Sequence, residues 1–208
     1  MSLQLITAPA LEPITLSEMK IQCGLGPMED SDQLREQILA EQLRPAMASA
    51  REQCEAMCAR AFITQTWQMT LDRFPRWKEE YEVHHRLDIR LPLPTFQELV
   101  SFTYLDYSGT EQDMMVTGSW GYQLVKGGDT RMERIRPPAG RGWPITEWQS
   151  PDAVTISFNC GFGDMPADVP HAVRTAVEIM AQWIYEGCKG AQPQAIQALL
   201  TPYIIDIV

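Results

Sequence analysis

Apolar and polar positions along this chain follow two different periods, and the switches between them mark three stretches. In the first, Leu43, Met47, Ala50, Cys54, Met57 and Ala61 recur in steps of three and four, which predicts one buried face of a long helix. From Phe62 to Leu71 the chain is rich in β-branched and aromatic residues and predicts a strand. Further strands are expected over Arg86–Leu91, Leu99–Tyr107, Met114–Thr117, Tyr122–Val125, Met132–Arg136 and Ala153–Phe158. Helical spacing returns with Val169, Val173, Ala176, Met180 and Trp183, widened by Ala172, Val177 and Ile184. A short last helix is expected over Pro193–Leu200.

Start and stop signals sharpen these limits. Met1 to Pro13 is apolar but carries Pro9 and Pro13, so it should run extended. Thr15-Leu16-Ser17-Glu18 is a capping box that opens a short helix, which Gly24, Gly26 and Pro27 end. Asp30-Ser31-Asp32-Gln33 opens the long helix, and Pro45 within it predicts a kink or break near Leu43–Pro45. Nine of the 13 glycines fall between Gly109 and Gly163, where they supply turns between short strands. Asp168 is the expected N-cap of the next helix, with Pro170 in its first turn. Pro202 ends the last helix.

Consecutive strands without a helix between each pair argue for an α+β fold and against a doubly wound sheet. The expected architecture is a single domain over 1–208, with a helical frame from about 15–60 and 168–200. The N-terminal helices pack against the C-terminal helix pair, an antiparallel β region is inserted at about 62–160, and an extended tail follows at 202–208.

Composition narrows the role. Seventeen basic and 27 acidic residues among 208 give a net charge of −10, which repels nucleic-acid phosphates and anionic membranes. No apolar run approaches the roughly 20 residues of a membrane span, and Lys20 is the first basic residue, so no secretory signal is expected. Five scattered cysteines, Cys23, Cys54, Cys58, Cys160 and Cys188, favour reduced thiols over a disulfide framework.

No catalytic constellation emerges. Cys54 and Cys58 lie one turn apart with His84-His85 downstream, yet the cysteines belong to the apolar stripe and adjacent histidines in an extended segment diverge, so zinc is disfavoured. His171 stands without a nucleophile or phosphate-loop pattern. Gly161-Phe162-Gly163-Asp164 is better read as a tight turn than as a phosphate cradle, and no cofactor is expected.

Two features point to contact with other proteins. Arg131, Arg134, Arg136 and Arg141 concentrate positive charge on an acidic chain, either as a solvated face with Glu133 as partial counter-ion or as a patch for an acidic neighbour such as the next copy. The end of the chain, Tyr203, Ile204, Ile205, Ile207 and Val208, is apolar apart from Asp206, so it docks either on its own core or on a partner. Trp77, Trp120, Trp143 and Trp148 lie in loop-like contexts as core residues or interface anchors.

A series of landmarks spans nearly the whole chain: Leu5-Ile6-Thr7-x-Pro9, Glu12-Pro13-Ile14-Thr15-Leu16-x-Glu18-x-Lys20, Ala50-Arg51-Glu52, Ile63-Thr64-Gln65-Thr66-Trp67, Leu91-Pro92-x-Pro94, Trp143-Pro144, and Gly161-Phe162-Gly163-Asp164-x-x-x-Asp168-Val169-Pro170. In this order they resemble the head–tail connector (adaptor) proteins of long-tailed bacteriophages and prophages. The chain departs from that pattern at Cys58-Ala59-Arg60, where the family often has a glycine, and at Thr95-Phe96, where a small β-branched pair is expected. The resemblance implies a structural protein of the virion neck, not an enzyme, made in the host bacterial cytoplasm. It implies a ring of about a dozen copies between a portal protein and a tail or stopper protein, with double-stranded DNA passing through without sequence specificity. By the same analogy the apolar tail docks on the portal. The alternatives are a tail-completion or neck protein one position further down, or a small metal-binding module or enzyme.

Overall fold

The computed structural model describes residues 1–25, 33–76, 87–116, 120–127, 132–147 and 150–205. The fold is α+β, with four α-helices and two antiparallel sheets among the described residues, and the chain divides into two compact units. A β unit comprises Met1–Ala8 and Gln65–Gly161; a helical unit comprises Pro9–Thr64 and Phe162–Val208.

In the helical unit, α1 (Leu16–Gln22) starts at the capping box read from the sequence: the Glu18 amide donates to the Thr15 hydroxyl, and the Glu18 carboxylate accepts from the Thr15 amide at 2.7 Å. Burial alone would raise the Glu18 pKa, but the Thr15 hydrogen bonds and the Arg174 guanidinium bring it below the usual carboxylate value. Helix α2 (Gln33–Cys58) runs through Pro45 without the expected break. The ring faces solvent, while Leu43, Ala46 and Met47 on either side are buried. Packing on both flanks outweighs the roughly 3 kcal/mol that an interior proline costs. The start signal at Asp30–Asp32 lies outside the described residues.

Ala59 ends α2 with φ of 51°, a left-handed position that suits glycine. The Arg60 amide donates to the Glu55 carbonyl at 3.1 Å, closing the cap. The departure from the connector pattern at Cys58-Ala59-Arg60 therefore falls where an L side chain is strained. Ala59→Gly is expected to raise the unfolding free energy by about 0.5–1 kcal/mol, read by urea titration.

Helix α3 (His171–Tyr185) buries Val173, Ala176, Val177, Met180 and Ala181 against Leu43, Met47, Ala50, Cys54 and Cys58 of α2, with Met19 from α1 and Ile196 and Leu200 from α4 (Gln194–Leu200). The N-terminal helices thus pack on the C-terminal pair as the spacing predicted. Asp168 is not the N-cap of α3, because a 3₁₀ turn (Pro166–Asp168) and extended Val169 intervene and Pro170 holds that position. Its carboxylate instead accepts from the Met165 amide at 2.9 Å and fastens the turn ahead of the helix.

The β unit is built on a five-stranded sheet in the order β1-β2-β8-β4-β5, from Ser2–Thr7, Gln65–Leu71, Val154–Cys160, Phe96–Leu105 and Glu111–Asp113. The N-terminal segment expected to be extended is β1, paired antiparallel with β2. Met69, Ile156 and Phe102 line up across the central strands on the buried face. Thr66, Gln68 and Thr70 share the other face with Thr155, Ser157 and Asn159, only partly buried. A three-stranded sheet joins β3 (Ile89–Arg90), β7 (Arg134–Arg136) and β6 (Gln123–Val125), with Ile89, Ile135 and Leu124 in register. Phe74 stacks on Trp143 at 4.8 Å between ring centroids and meets Phe102 edge-on.

One strand differs in place. The expected strand at Met114–Thr117 is replaced by β5 at Glu111–Asp113, with Thr117 outside the described residues. The Asp106 carboxylate accepts from the Ser108 and Thr110 amides, which closes the hairpin tightly and starts pairing at Leu105–Glu111.

Candidate functional site

Of the residues weighed for chemistry, the two helix cysteines are placed in the core, while His171 is exposed. Cys54 and Cys58 are buried, and burial pushes their thiols up to about 12 and about 11, so they remain protonated packing groups at neutral pH. His84 and His85 lie outside the described residues, and among the described residues no group of three potential metal ligands converges. Gly161-Phe162-Gly163 forms a turn. Gly161, at φ of 141°, donates its amide to the Thr95 carbonyl, and the Gly163 carbonyl accepts from the Thr64 amide. Charged and apolar side chains gather on two surfaces.

The first surface is in the β unit. Strand alternation puts Arg134 and Arg136 on the same face of β7, as their spacing required. Both guanidinium groups converge on the carboxylate of Asp88, whose side chain is only 4% exposed, at 3.2 Å from Arg134 and 2.9 Å from Arg136. Asp88 is thus a counter-ion to both arginines, and Glu133, which precedes them, is itself buried. Arg141 stands apart, exposed, with its guanidinium carbon 6.0 Å from the Trp120 ring centre. Trp120 is itself held by its indole N–H donating to the Gly142 carbonyl at 2.7 Å. Arg131 lies outside the described residues, as do Trp77 and Trp148. Trp143 is a core residue whose indole donates to the Leu87 carbonyl.

A cleft of about 790 Å³ opens beside these groups, lined by Arg76, Asp88, Arg136, Pro138, Arg141 and Trp143 among others. Arg76 was not legible as part of the arginine group, because it lies far upstream and only the fold brings it to the same cleft. The opposite charge gathers at the β4–β5 hairpin, where Asp106, Glu111, Asp113 and Glu147 have no arginine or lysine partner among the described residues. Hydrogen bonds from Ser108, then from Thr110 and Gln112, hold the Asp106 carboxyl below its usual range and keep it ionised.

The second surface is the end of the chain, in the helical unit. After α4 a 3₁₀ turn (Thr201–Tyr203) replaces the expected extended start of the tail. Tyr203 meets Phe162 edge-on, and the Ile205 amide donates to the Cys58 carbonyl at 3.2 Å. Ile205 is 6% exposed and Ile204 39%, so the tail lies on its own core through Ile205 and presents Ile204 outward. Asp206, Ile207 and Val208 lie outside the described residues.

No protein-family model matches the chain, and no curated protein matches its sequence. Solved structures do match. A chain from the neck of an empty gene transfer agent (GTA) particle, computed with C6 symmetry, superposes with a TM-score of 0.71 at 23% identity, covering 100% of this chain and 97% of that one. A chain from the virion of the native GTA particle gives the same values. A chain from the native particle's neck, computed with C12 symmetry, gives 0.66 at 21% identity, with the same coverage. The fold of this protein is that of these particle chains. No helix among the described residues is long and apolar enough to cross a membrane.

Proposed function

We propose that this protein is a structural neck component of a tailed phage or phage-like particle, a head–tail connector whose copies form a ring between portal and tail. The observation that carries this reading is the end-to-end likeness of its fold to chains of GTA particles, two of them solved in the neck. The connector landmarks in the sequence point the same way. A ring closes when one face of each copy meets a different face of the next, and the β unit carries both a basic cleft and an acidic hairpin. The net charge of −10 suits a channel through which DNA slides, since phosphates find few cations to hold them. Ile204, with residues 206–208, is the portal-docking element.

Light scattering and negative-stain microscopy at rising concentration, with and without portal protein, test the ring. Closed rings are expected, and a chain that stays monomeric and ignores portal protein throughout overturns the reading. Because Tyr203 and Ile205 pack on the protein's own core, docking is tested by Ile204→Asp combined with removal of 206–208. This variant is expected to keep its melting temperature and its rings but to lose capture by portal protein; unchanged capture removes the docking assignment. Pull-down with tail proteins but not portal would move the chain one position down the neck.

A further inference from the structure

We propose that the arginine-lined cleft of the β unit receives the acidic β4–β5 hairpin of the next copy, and that this contact closes the ring. The proposal rests on the ring reading above and names the two patches that meet.

The cleft holds an excess of positive charge at a fixed place. Arg76 and Arg141 are exposed and have no carboxylate partner among the described residues, while Arg136 is shared with buried Asp88. Stacking of Arg141 near Trp120, itself pinned to Gly142, reduces the side-chain freedom lost on binding. About 790 Å³ is room for a few side chains of a partner.

The hairpin offers the matching shape and charge. Glu111 and Asp113 are exposed, two residues apart, and so project from one face of β5, which forms the edge of its sheet. Asp106 and Glu147 add charge at the turn, where a Glu147 carboxylate oxygen lies 3.2 Å from the place a Cβ would occupy on Gly109. Two copies of a chain with net charge −10 repel each other overall, so association needs a local pairing of opposite sign, which this cleft and hairpin supply. Because the two patches are different, each copy uses its cleft toward one neighbour and its hairpin toward the other, which is the head-to-tail arrangement of a ring.

DNA is the less fitting occupant. Trp143 and Pro138 wall the cleft, where a phosphate track would be open and basic along its length.

The test uses the full chain in two charge-reversed forms, R76E/R141E and E111K/D113K, with circular dichroism and melting temperature confirming the fold of each. Self-association is measured by sedimentation velocity, and duplex DNA binding by fluorescence anisotropy. Each form alone is expected to associate about tenfold or more weakly than the wild type, because each opposes like charges. Mixed in equal amounts they are expected to associate again, since every cleft then finds a hairpin of opposite sign. Wild-type association that both forms retain overturns the contact while leaving the ring reading intact, as does a failure of the mixture to recover. Loss of DNA binding by R76E/R141E with association unchanged assigns the cleft to DNA and also overturns it. A wild type that never associates, with or without portal protein, is the separate result that removes the ring itself.

Discussion

Arg51→Met is expected to lower the unfolding free energy by about 3–5 kcal/mol in urea titration, the largest single loss foreseen for this protein. The Arg51 side chain is 8% exposed in the helical unit, and its guanidinium donates to Glu12 at 2.9 Å and to Glu55 at 2.7 Å. Burial would lower its pKa, but Glu55 and Glu12 outweigh that and raise it. Glu55 also accepts from the Phe62 amide at 2.8 Å, so one carboxylate joins the end of α2 to the segment leading into β2. Methionine keeps the packing of the stem and removes the charge, leaving two carboxylates facing each other in a poorly solvated site. Adding Glu12→Gln and Glu55→Gln is expected to recover part of the loss, since neutralising a whole buried network costs less than halving it. A single-substitution loss below about 1 kcal/mol would mean that solvent reaches these groups and screens them.

Gly163→Ala is expected to cost about 3 kcal/mol, the upper end for overpacking. A Cβ at Gly163 would lie 2.3 Å from Asp168 Oδ2 and 2.6 Å from its Cβ and Cγ. These atoms stand next to the backbone and have no flexible stem with which to withdraw. Moving them also breaks the bond from the Met165 amide to Asp168 Oδ2. Asp168→Gly in the same chain is expected to return most of the stability, whereas Asp168→Asn, which keeps the clashing atoms, is not. Equal behaviour of the two double variants would show that the clash is not the cause. Gly163 and Asp168 thus belong together for steric reasons, where the sequence alone assigned the aspartate to helix capping.

That pair shows what was legible and what was not. Features set by neighbours in sequence were readable: the Thr15–Glu18 box, the apolar face shared by α2 and α3, and the period-two strands β2 and β8. Features set by pairing across the fold were not. Pro45 suggested a break because nothing local announces how firmly Leu43 and Met47 are packed. The position of β5 depended on the Asp106 turn and its register with β4. The arginine group was visible at Arg134, Arg136 and Arg141, but its counter-ion Asp88 and its fellow Arg76 lie at least 46 positions before Arg134 and come from another part of the sheet order. Its acidic complement at Glu111 and Asp113 carried no signal at all in a chain with 27 acidic residues.

The place of β8 in the sheet has a consequence for synthesis. Among the described residues it is the last strand in the sequence, and it is the middle one of its sheet, between β2 and β4. While the ribosome is still extending the chain, the β1–β2 and β4–β5 pairs have been made but lack the strand that joins them, and α2 waits in the same way for α3. Neither unit completes until residues near 160 and 185 have emerged. Such long-range closure is slow and leaves apolar strands uncovered during translation. A lower yield of folded protein at higher synthesis temperature is the expected result, and it follows from the order in which the strands are made.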